Sequence, residues 1–472
     1  MKRALSPPRR RFALAIASTV TIALAAALVA SANVPLTRIL VDPFTNPDSQ
    51  HGTVVEPDTY SAGSTIVAVA QMGQFSTEGA SGIGFATSTN NGGTWSSGVL
   101  PGITRYQNPA GPYDRATDSS IAFDARHNVW IASSLALDVP GPKGAAVLAS
   151  RSTNGGLTWT NPVTIAAANA TQDFDKPWIV CDDTSTSPFY GSCYAEFDDR
   201  GHSSALKMAY SRDGGLTWTA ATAPSASVTG GQPVVQPSGK VIVPIDDATE
   251  TKLESVVSTN GGASFGQVIV ITTISAFREP GNIRSSPLPS AEIDSAGKVF
   301  VAWQDCRFRV GCTANDIVYV TSTDGATWSP VQRIPIDAVT SSADHFVPGI
   351  GVDKGTSSTT AHVAVTYYFY PNVSCTVATC QLDVGFISSS NGGSTWTAAT
   401  QLAGPMSNVW LPLTTKGRMF GDYISTSFSG GLAHPVIVVA KPPNGTTTDC
   451  SSATPNCNVA LYAAGGLAAR QH

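Results

Sequence analysis

One short phrase, written Ser-x-Asp/Asn-x-Gly-x-Thr-Trp in outline, recurs six times along the 472 residues of this chain. The final aromatic residues of successive copies lie 47 to 68 residues apart. Such a period suits a repeated four-stranded unit and is far too long for one rung of a solenoid. The copies are STNNGGTW (88–95), STNGGLTW (152–159), SRDGGLTW (211–218), STNGGASF (258–265), STDGATW (322–328) and SSNGGSTW (389–396).

Each position of the phrase has a physical role in a tight turn. The Asn or Asp side chain can accept hydrogen bonds from backbone N–H groups ahead of it, and Gly supplies positive φ angles. The Trp then returns to the sheet as a large apolar side chain that packs between sheets. Flanking runs such as ALKMAYS and IVYVTS have the composition of strands. The phrase therefore predicts a hairpin turn between two strands, once per sheet.

The phrase resembles the Asp box, or bacterial neuraminidase repeat, of sialidases and related β-propellers. The resemblance covers residues of roughly 55 to 400. It implies an all-β fold, a single β-propeller of four-stranded antiparallel blades, in which the box joins the third and fourth strands. It also implies that the box residues stabilise turns and are not catalytic.

Six units carry a box, and a seventh, FGDYISTSFSGGLAHPVIVVA (420–440) with NVALYAA (458–464), has three strands without one. TRILVDPF (37–44) can supply its fourth strand, and closure of the ring would remove exposed sheet edges. We therefore expect seven blades within residues 33–472. The alternative is six blades, with residues 413–472 as a C-terminal cap.

The first 32 residues have the pattern of an export signal. A basic segment precedes an apolar run from Phe12 to Ala30, and Ala30-Ser31-Ala32 fits the cleavage site. We predict cleavage after Ala32, and an uncleaved membrane anchor is the alternative. Beyond this leader, 23 basic residues face 33 acidic ones, a net charge of −10. An acidic chain without a basic stripe excludes nucleic acid as the expected partner.

The eight cysteines fall as four close pairs in stretches rich in turn residues. This spacing favours four local disulfides and an extracellular or cell-envelope location, although other pairings are open. No His clustering or CxxC motif predicts a metal site. Structural calcium is the one cofactor that we consider, through the Asp-rich loops CDDTSTS and FDDRG. The pairs are Cys181/Cys193, Cys306/Cys312, Cys375/Cys380 and Cys450/Cys457.

In a propeller, the loops that enter each innermost strand converge with those joining the second and third strands. Binding sites on this architecture usually lie there. The corresponding positions of this chain combine acids with arginines, which suits a polyhydroxylated or carboxylated ligand. The candidate substrate-binding residues are Arg115, Asp175, Lys176, Arg284, Asp305, Arg307, Asp344, His345, Arg418 and Asp422.

The resemblance to sialidases implies a Tyr nucleophile, a carboxylic acid and three arginines that bind a carboxylate. Glu78 or Asp118 is the candidate acid and Tyr423 the candidate nucleophile, with Arg115, Arg284 and Arg418 as the candidate triad. The chain departs from the family where the Arg-Ile-Pro motif of the first inner strand is expected, because it reads VVEPDTY there.

We therefore expect an exported, monomeric propeller that recognises carbohydrate or a cell-surface glycoconjugate. Sialidase-type exo-glycosidase activity is one hypothesis, and another glycosidase or a lyase is a second. The alternative is a non-catalytic extracellular module that binds glycan or protein, or a scaffold.

Overall fold

The computed structural model describes residues 1, 34–444, 448–451 and 456–469, so the predicted leader lies outside the described residues. The protein is all-β and is built from groups of four antiparallel strands, numbered 1 to 7 along the chain. None of the described residues form a helix that could span a lipid bilayer.

The strands of each group, in chain order, have the following bounds. Group 1 contains Gln50–Ala62, Thr65–Gln74, Ala80–Ser88 and Ser96–Val99; group 2 contains Arg115–Asp124, Val129–Asp138, Lys143–Ser152 and Val163–Ala167; group 3 contains Phe174–Cys181, Cys193–Asp199, Ala205–Ser211 and Thr219–Ala220; group 4 contains Val228–Gly231 with Val234–Val235, Val241–Asp247, Lys252–Ser258 and Ile269–Thr273.

The remaining groups follow the same order. Group 5 contains Ser290–Ile293, Val299–Asp305, Asp316–Ser322 and Gln332–Arg333; group 6 contains Asp344–Val352, Val363–Tyr370, Gln381–Ser389 and Thr400–Ser407; group 7 contains Ser425–Ser429, Leu432–Lys441 and Asn458–Ala464, joined by the N-terminal strand Leu36–Leu40 and the short strand Leu467–Ala468. A small ribbon, Leu413–Thr414 with Gly417–Arg418, and three 3₁₀ turns, Arg200–His202, Ser358–Thr360 and Asn408–Trp410, connect these strands.

All six copies of the repeated phrase lie between the third and fourth strands of groups 1 to 6, as predicted. In the third copy, Asp213 Oδ1 accepts the backbone N–H groups of Leu216 and Thr217, both at 3.0 Å. Trp159 of the second copy donates from Nε1 to the carbonyl of Gly156 at 3.1 Å. The hydrogen bonds that the sequence predicts for this turn are therefore present in the folded chain.

The hydrophobic core lies in the seams between successive groups. Ile131 of group 2 and Ile179 of group 3 belong to one buried cluster. The largest cluster contains Met72 of group 1, Tyr368 of group 6 and Val438 of group 7. Each group buries both faces, so a strand such as Ala80–Ser88 is buried along its whole length rather than at alternate residues.

The first strands of neighbouring groups are also joined by hydrogen bonds. Oδ2 of Asp58 in group 1 accepts the N–H of Ile121 in group 2 at 2.8 Å. The hydroxyl of Ser425 in group 7 donates to the carbonyl of Thr59 in group 1 at 3.2 Å. Equivalent bonds run from Ile179 N to Ser120 Oγ (3.0 Å), from Ala291 N to Gln232 Oε1 (2.8 Å) and from Ile350 N to Ser290 Oγ (3.1 Å).

Four first strands contain a β-bulge whose central residue is not glycine but has a positive φ angle. Such a conformation costs about 1–2 kcal/mol for an L-residue, so the surrounding structure must impose it. The extra residue interrupts the pairing with the second strand, and three of the four precede proline. These residues are Glu56 (φ 55°), Asp118 (46°), Lys176 (53°) and Val347 (47°).

The four predicted disulfides, Cys181–Cys193, Cys306–Cys312, Cys375–Cys380 and Cys450–Cys457, are all formed. Each closes a loop of 5 to 12 residues, and no cysteine of the described chain is free. Four such bonds indicate an oxidising environment.

Candidate functional site

The bulges bring charged side chains from distant parts of the chain together. The Lys176 ammonium donates a hydrogen bond to Asp422 Oδ2, and its Nζ lies 4.0 Å from Asp118 Oδ1. Arg284 Nη2 lies 2.5 Å from the same Asp422 oxygen, and Glu56 Oε1 accepts the Asp422 backbone N–H at 3.1 Å. These five residues form the central ionic cluster.

Burial and neighbouring charges shift the pKa values of the three acids in this cluster in different directions. Burial, together with the charges of Asp422 and Asp118, raises the pKa of Glu56 to about 8. Burial also raises the pKa of Asp118 to about 6, against the opposing effect of Lys176. For Asp422, burial is outweighed by Arg284 and Lys176, which hold its pKa well below the ordinary value. Near neutral pH the cluster therefore contains a protonated Glu56 beside an ionised Asp422.

A cavity of about 670 Å³, which we name cavity A, adjoins the cluster. Lys176, Arg284 and Asp422 form part of its wall, and the exposed cations Arg278 and Lys416 lie at its edge. No ion pair forms at either exposed cation within the described chain. The rest of the wall combines hydroxyl groups, one amide and three acids with apolar surface, namely Thr229, Thr249, Thr251, Ser275, Ser285, Ser286, Gln304, Asp175, Glu250, Glu279, Ile274, Ala276, Phe277, Ile283, Pro287 and Leu288.

A second cavity, cavity B, has a volume of about 510 Å³ and contains Asp58, Tyr60, Glu292 and Lys354 in its wall. First strands of all seven groups contribute to it, from Asp58 in group 1 to Ser425 in group 7. The ammonium of Lys354 lies 4.2 Å from the centre of the Tyr60 ring. A narrow space of about 20 Å³ between Lys176, Trp178 and Tyr423 is much too small for a sugar.

The candidate nucleophile Tyr423 is buried among the first strands. Its hydroxyl lies 3.2 Å from the carbonyl oxygen of Ser119, to which it donates, and its ring packs edge-on against Trp178 at 4.9 Å. Burial, followed by the charges of Glu56 and Asp118, raises the pKa of this phenol well above its ordinary value. The phenol is therefore protonated and already bonded to the backbone.

The other candidate acid, Glu78, belongs to a separate group of ions around Arg200. Arg200 Nη1 lies 3.0 Å from Glu78 Oε1 and 3.2 Å from Asp175 Oδ2, and its Nη2 lies 3.0 Å from Asp173 Oδ1. Asp175 also lines cavity A, so this group extends to the edge of the site. Arg200 was not among the predicted site residues. Its position directly after the acidic end of a second strand, FDDRG, is the signal that could have identified it.

The guanidinium groups of the three predicted carboxylate-binding arginines have different partners, and Arg284 and Arg418 meet only through a backbone hydrogen bond, Arg284 N–H to the Arg418 carbonyl at 2.8 Å. Arg284 alone joins the central ionic cluster. Arg115 donates to Thr77 Oγ1 at 2.6 Å and to the carbonyl of Glu78 at 2.7 Å. Arg418 is buried, and its Nη2 lies 2.8 Å from both carboxylate oxygens of Asp449.

Four further predicted residues lie along groups 5 and 6, outside the central cluster. Arg307 contacts Asp305 through Nε and Nη2 at 2.8 and 2.7 Å. Asp344 Oδ1 accepts the backbone N–H of Asn315 at 2.7 Å. His345 is buried, and burial lowers its pKa to about 4.

Two buried acids, Glu56 and Glu279, were not among the predicted site residues. Glu56 occupies a bulge, and the Glu56-Pro57 and Lys176-Pro177 pairs within first strands are the signal that links it to Lys176. Glu279 accepts hydrogen bonds from Gln304 (2.7 Å), Asn315 (2.8 Å) and Ser285 (2.5 Å). Both oxygens of this carboxyl group are thus hydrogen-bonded inside the wall, and burial raises its pKa to about 8.

In the Asp-rich loops considered for calcium, some carboxylate oxygens accept hydrogen bonds from the protein itself. Asp182 accepts the N–H of Thr184 at 3.2 Å and the hydroxyl of Ser187. In the second loop, Asp199 Oδ2 lies 2.8 Å from His202 Nδ1.

No family model and no curated protein matches this sequence. The fold is similar to a solved protein of unknown function from Dyadobacter fermentans, with 16% identity, a TM-score of 0.48, and coverage of 76% of this chain and 99% of that one. It is similar to a Hadza microbial sialidase at 13% identity and a TM-score of 0.45, covering 88% of this chain and 66% of the sialidase. It is also similar to the α-L-arabinanase of Penicillium chrysogenum, at 13% identity and a TM-score of 0.44, over 91% of this chain and 98% of that enzyme.

Proposed function

We propose that this chain is an exported carbohydrate-binding protein whose ligand occupies cavity A. The observation that carries the proposal is the composition of the cavity wall. The wall contains six hydroxyl groups and the amide of Gln304 beside apolar surface, together with charged side chains that include Lys176, Arg284 and Asp422. Sugars present hydroxyl groups along their edges and C–H groups on their faces, so a wall of this kind satisfies both.

We further infer that the seven groups are blades of one closed propeller. Hydrogen bonds between first strands, and their shared contribution to cavity B, support a ring arrangement. The pairing of Leu36–Leu40 with Asn458–Ala464 and the bond from Ser425 to Thr59 support closure between the chain ends. Ring closure would leave no exposed inner edge.

Export is supported by the four disulfides, together with the leader predicted from residues 1–32. Disulfides persist in secreted and cell-envelope proteins. The protein would then meet cell-surface glycoconjugates or soluble glycans as its ligands.

Glycoside hydrolysis is the second candidate function. A protonated Glu56 and an ionised Asp422 in one cluster are the two protonation states that acid-assisted hydrolysis requires. In this reading, Asp118 or Glu56 donates the proton, and Tyr423 is not the nucleophile because its hydroxyl is bonded to Ser119. Binding is the first candidate, because Glu56 is only 1% exposed and Asp422 is held by two cations.

A glycan array probed with the secreted protein tests the binding proposal. We expect selective binding that weakens about tenfold in Arg278→Ala and in Lys416→Ala, since each removes a charged donor from cavity A. The matched control Lys354→Ala changes a cation of cavity B and should bind as the wild type does. The proposal fails if no glycan binds, or if Lys354→Ala alone abolishes binding.

A panel of fluorogenic glycosides, sialosides included, tests hydrolysis on the same preparations. Turnover that Asp118→Asn or Glu56→Gln abolishes would establish the second candidate. Glycan binding without turnover would leave binding as the function.

A further inference from the structure

Three potential metal ligands meet at the seam between groups 5 and 6. Asp316 begins the third strand of group 5, Asp337 follows its fourth strand, and His345 lies at the start of the first strand of group 6. One ligating atom from each lies within 4.8 Å of the other two. No other set of three His, Cys, Asp or Glu side chains in the described chain meets this condition.

Two arginines orient both carboxylates in the same way. Arg309 Nη2 lies 2.6 Å from Asp316 Oδ1 and 2.9 Å from Asp337 Oδ1. Arg333 Nη2 lies 2.8 and 2.7 Å from the same two oxygens. The second oxygen of each carboxylate, Oδ2, is buried and accepts no hydrogen bond.

The imidazole of His345 completes this arrangement. Its Nε2 lies 3.8 Å from Asp337 Oδ2, while its Nδ1 lies 3.4 Å from the backbone carbonyl oxygen of Asn315. Packing against Tyr367 and Phe369, with ring centres 5.4 and 5.9 Å away, holds the ring in place. With Nδ1 facing a carbonyl, the neutral ring presents the lone pair of Nε2 to the two carboxylates.

This geometry has the features of a metal site with its outer contacts in place. Metal-bound histidines commonly donate their other N–H to a carbonyl, and metal-bound carboxylates are themselves hydrogen-bonded. A buried carboxylate oxygen without a partner is costly, and Asp316 is only 1% exposed. A cation between the two Oδ2 atoms and Nε2 would supply that partner.

We propose that Asp316, Asp337 and His345 bind one divalent transition-metal ion, Zn²⁺ in preference to others, across this seam. A nitrogen ligand beside two carboxylate oxygens favours Zn²⁺ over Ca²⁺ and Mg²⁺, which take oxygen ligands. The two guanidinium groups already neutralise the two carboxylates, so the bound ion adds net positive charge. We therefore expect moderate affinity rather than a permanently bound ion.

Calorimetric titration of the chelator-treated, full secreted protein with ZnCl₂ tests this site. We expect one Zn²⁺ per chain and a higher Tm with Zn²⁺, and no comparable effect of Ca²⁺ or Mg²⁺. His345→Gln and Asp337→Asn should each weaken binding at least tenfold. His127→Gln is the matched control, because His127 also contacts a carboxylate, Asp124, at 2.6 Å.

His345→Gln and Asp337→Asn test the site independently, so the failure of one variant to fold does not end the test. Should His345→Gln fail to fold, Asp337→Asn, at a side chain that is 21% exposed, provides the same measurement. Co²⁺ gives a second readout, since its visible absorption changes when a histidine nitrogen coordinates it. The proposal is overturned if folded wild-type protein binds no Zn²⁺, or if either folded variant binds it as tightly as the wild type.

Discussion

Lys176 and Asp422, 246 residues apart in the chain, are joined by a hydrogen bond between their charged groups at the centre of the first strands. Arg284 contacts the same Asp422 oxygen at 2.5 Å. One carboxylate thus compensates two largely buried cations, and it connects groups 3 and 7 with the segment before group 5.

Removal of the Asp422 charge should therefore be strongly destabilising. We expect Asp422→Asn to lower the free energy of unfolding by about 3–5 kcal/mol, because Arg284 would lose its ion-pair partner and Lys176 would keep only Asp118, 4.0 Å away. Urea denaturation measures the change. Asp114→Asn is the control: its partner Arg105 is half exposed, and the expected loss is below about 1 kcal/mol. Equal losses in the two variants would contradict a compensating role for Asp422.

Stability should also depend on pH through Glu56 and Asp422, in opposite directions. The pKa of Glu56 is raised to about 8 in the folded chain, whereas in the unfolded chain it is about 4.5. Between these two pH values the unfolded chain has lost the Glu56 proton and the folded chain still holds it, so the free energy of unfolding falls as pH rises from about 4.5 to 8. Asp422 has a lowered pKa, so its contribution is present above about pH 4 and is lost on acidification below that value.

Thermal unfolding of Glu56→Gln between pH 5 and 8 isolates the first effect. We expect a smaller fall in Tm with rising pH than in the wild type, since glutamine does not ionise. The exposed residue Glu250 offers the same substitution as a control, and Glu250→Gln should keep the fall in Tm that Glu56 causes while changing only the smaller contribution of Asp246. An unchanged profile in Glu56→Gln would show that Glu56 is already ionised in the native state.

Gly421 should be intolerant of any side chain. Its φ angle is +142°, and a Cβ atom there would lie 2.9 Å from the Cα and N atoms of Glu56. We expect Gly421→Ala to destabilise the protein by about 2–4 kcal/mol, from the clash and the backbone strain together. Gly431→Ala measures the backbone strain without the clash. Gly431 also has a positive φ angle, +74°, but an added Cβ atom would meet nothing within 4 Å. Similar urea midpoints for both variants would exclude the clash.

The box carboxylate of Asp324 should act as a hydrogen-bond acceptor rather than as a charge. Asp324 Oδ1 accepts the N–H groups of Ala326 and Thr327 at 2.8 and 2.7 Å. Asp324→Asn keeps the acceptor and should change stability little, as the Asn in four other boxes indicates. Asp324→Ala should cost about 1 kcal/mol. A large loss in the asparagine variant would instead indicate a role for the charge.

Tyr423→Phe should leave glycan binding, and any hydrolysis, close to wild-type values. The phenol donates to Ser119 and lines neither large cavity. Affinity on the array and turnover on fluorogenic substrates check this expectation. Loss of turnover with intact folding would restore the tyrosine as nucleophile.

The sequence by itself determined the features whose physics is local. An Asn followed closely by Gly favours a tight turn, as at Asn154 and Gly156, because the side-chain acceptor and the positive φ angle act within a few residues. For the same reason, cysteines only 5 to 12 residues apart, such as Cys181 and Cys193, could be paired correctly.

Only the tertiary structure decided which charged groups meet. Arg115, Arg284 and Arg418 look equivalent in the sequence, yet Arg284 alone joins the central ionic cluster while Asp449 holds Arg418. Glu56 and Asp422 acquire opposite pKa shifts from burial and from neighbours hundreds of residues away. Long-range electrostatic interactions depend on the distance between charges in space and on their desolvation. Neither quantity can be obtained from the spacing of residues along a chain.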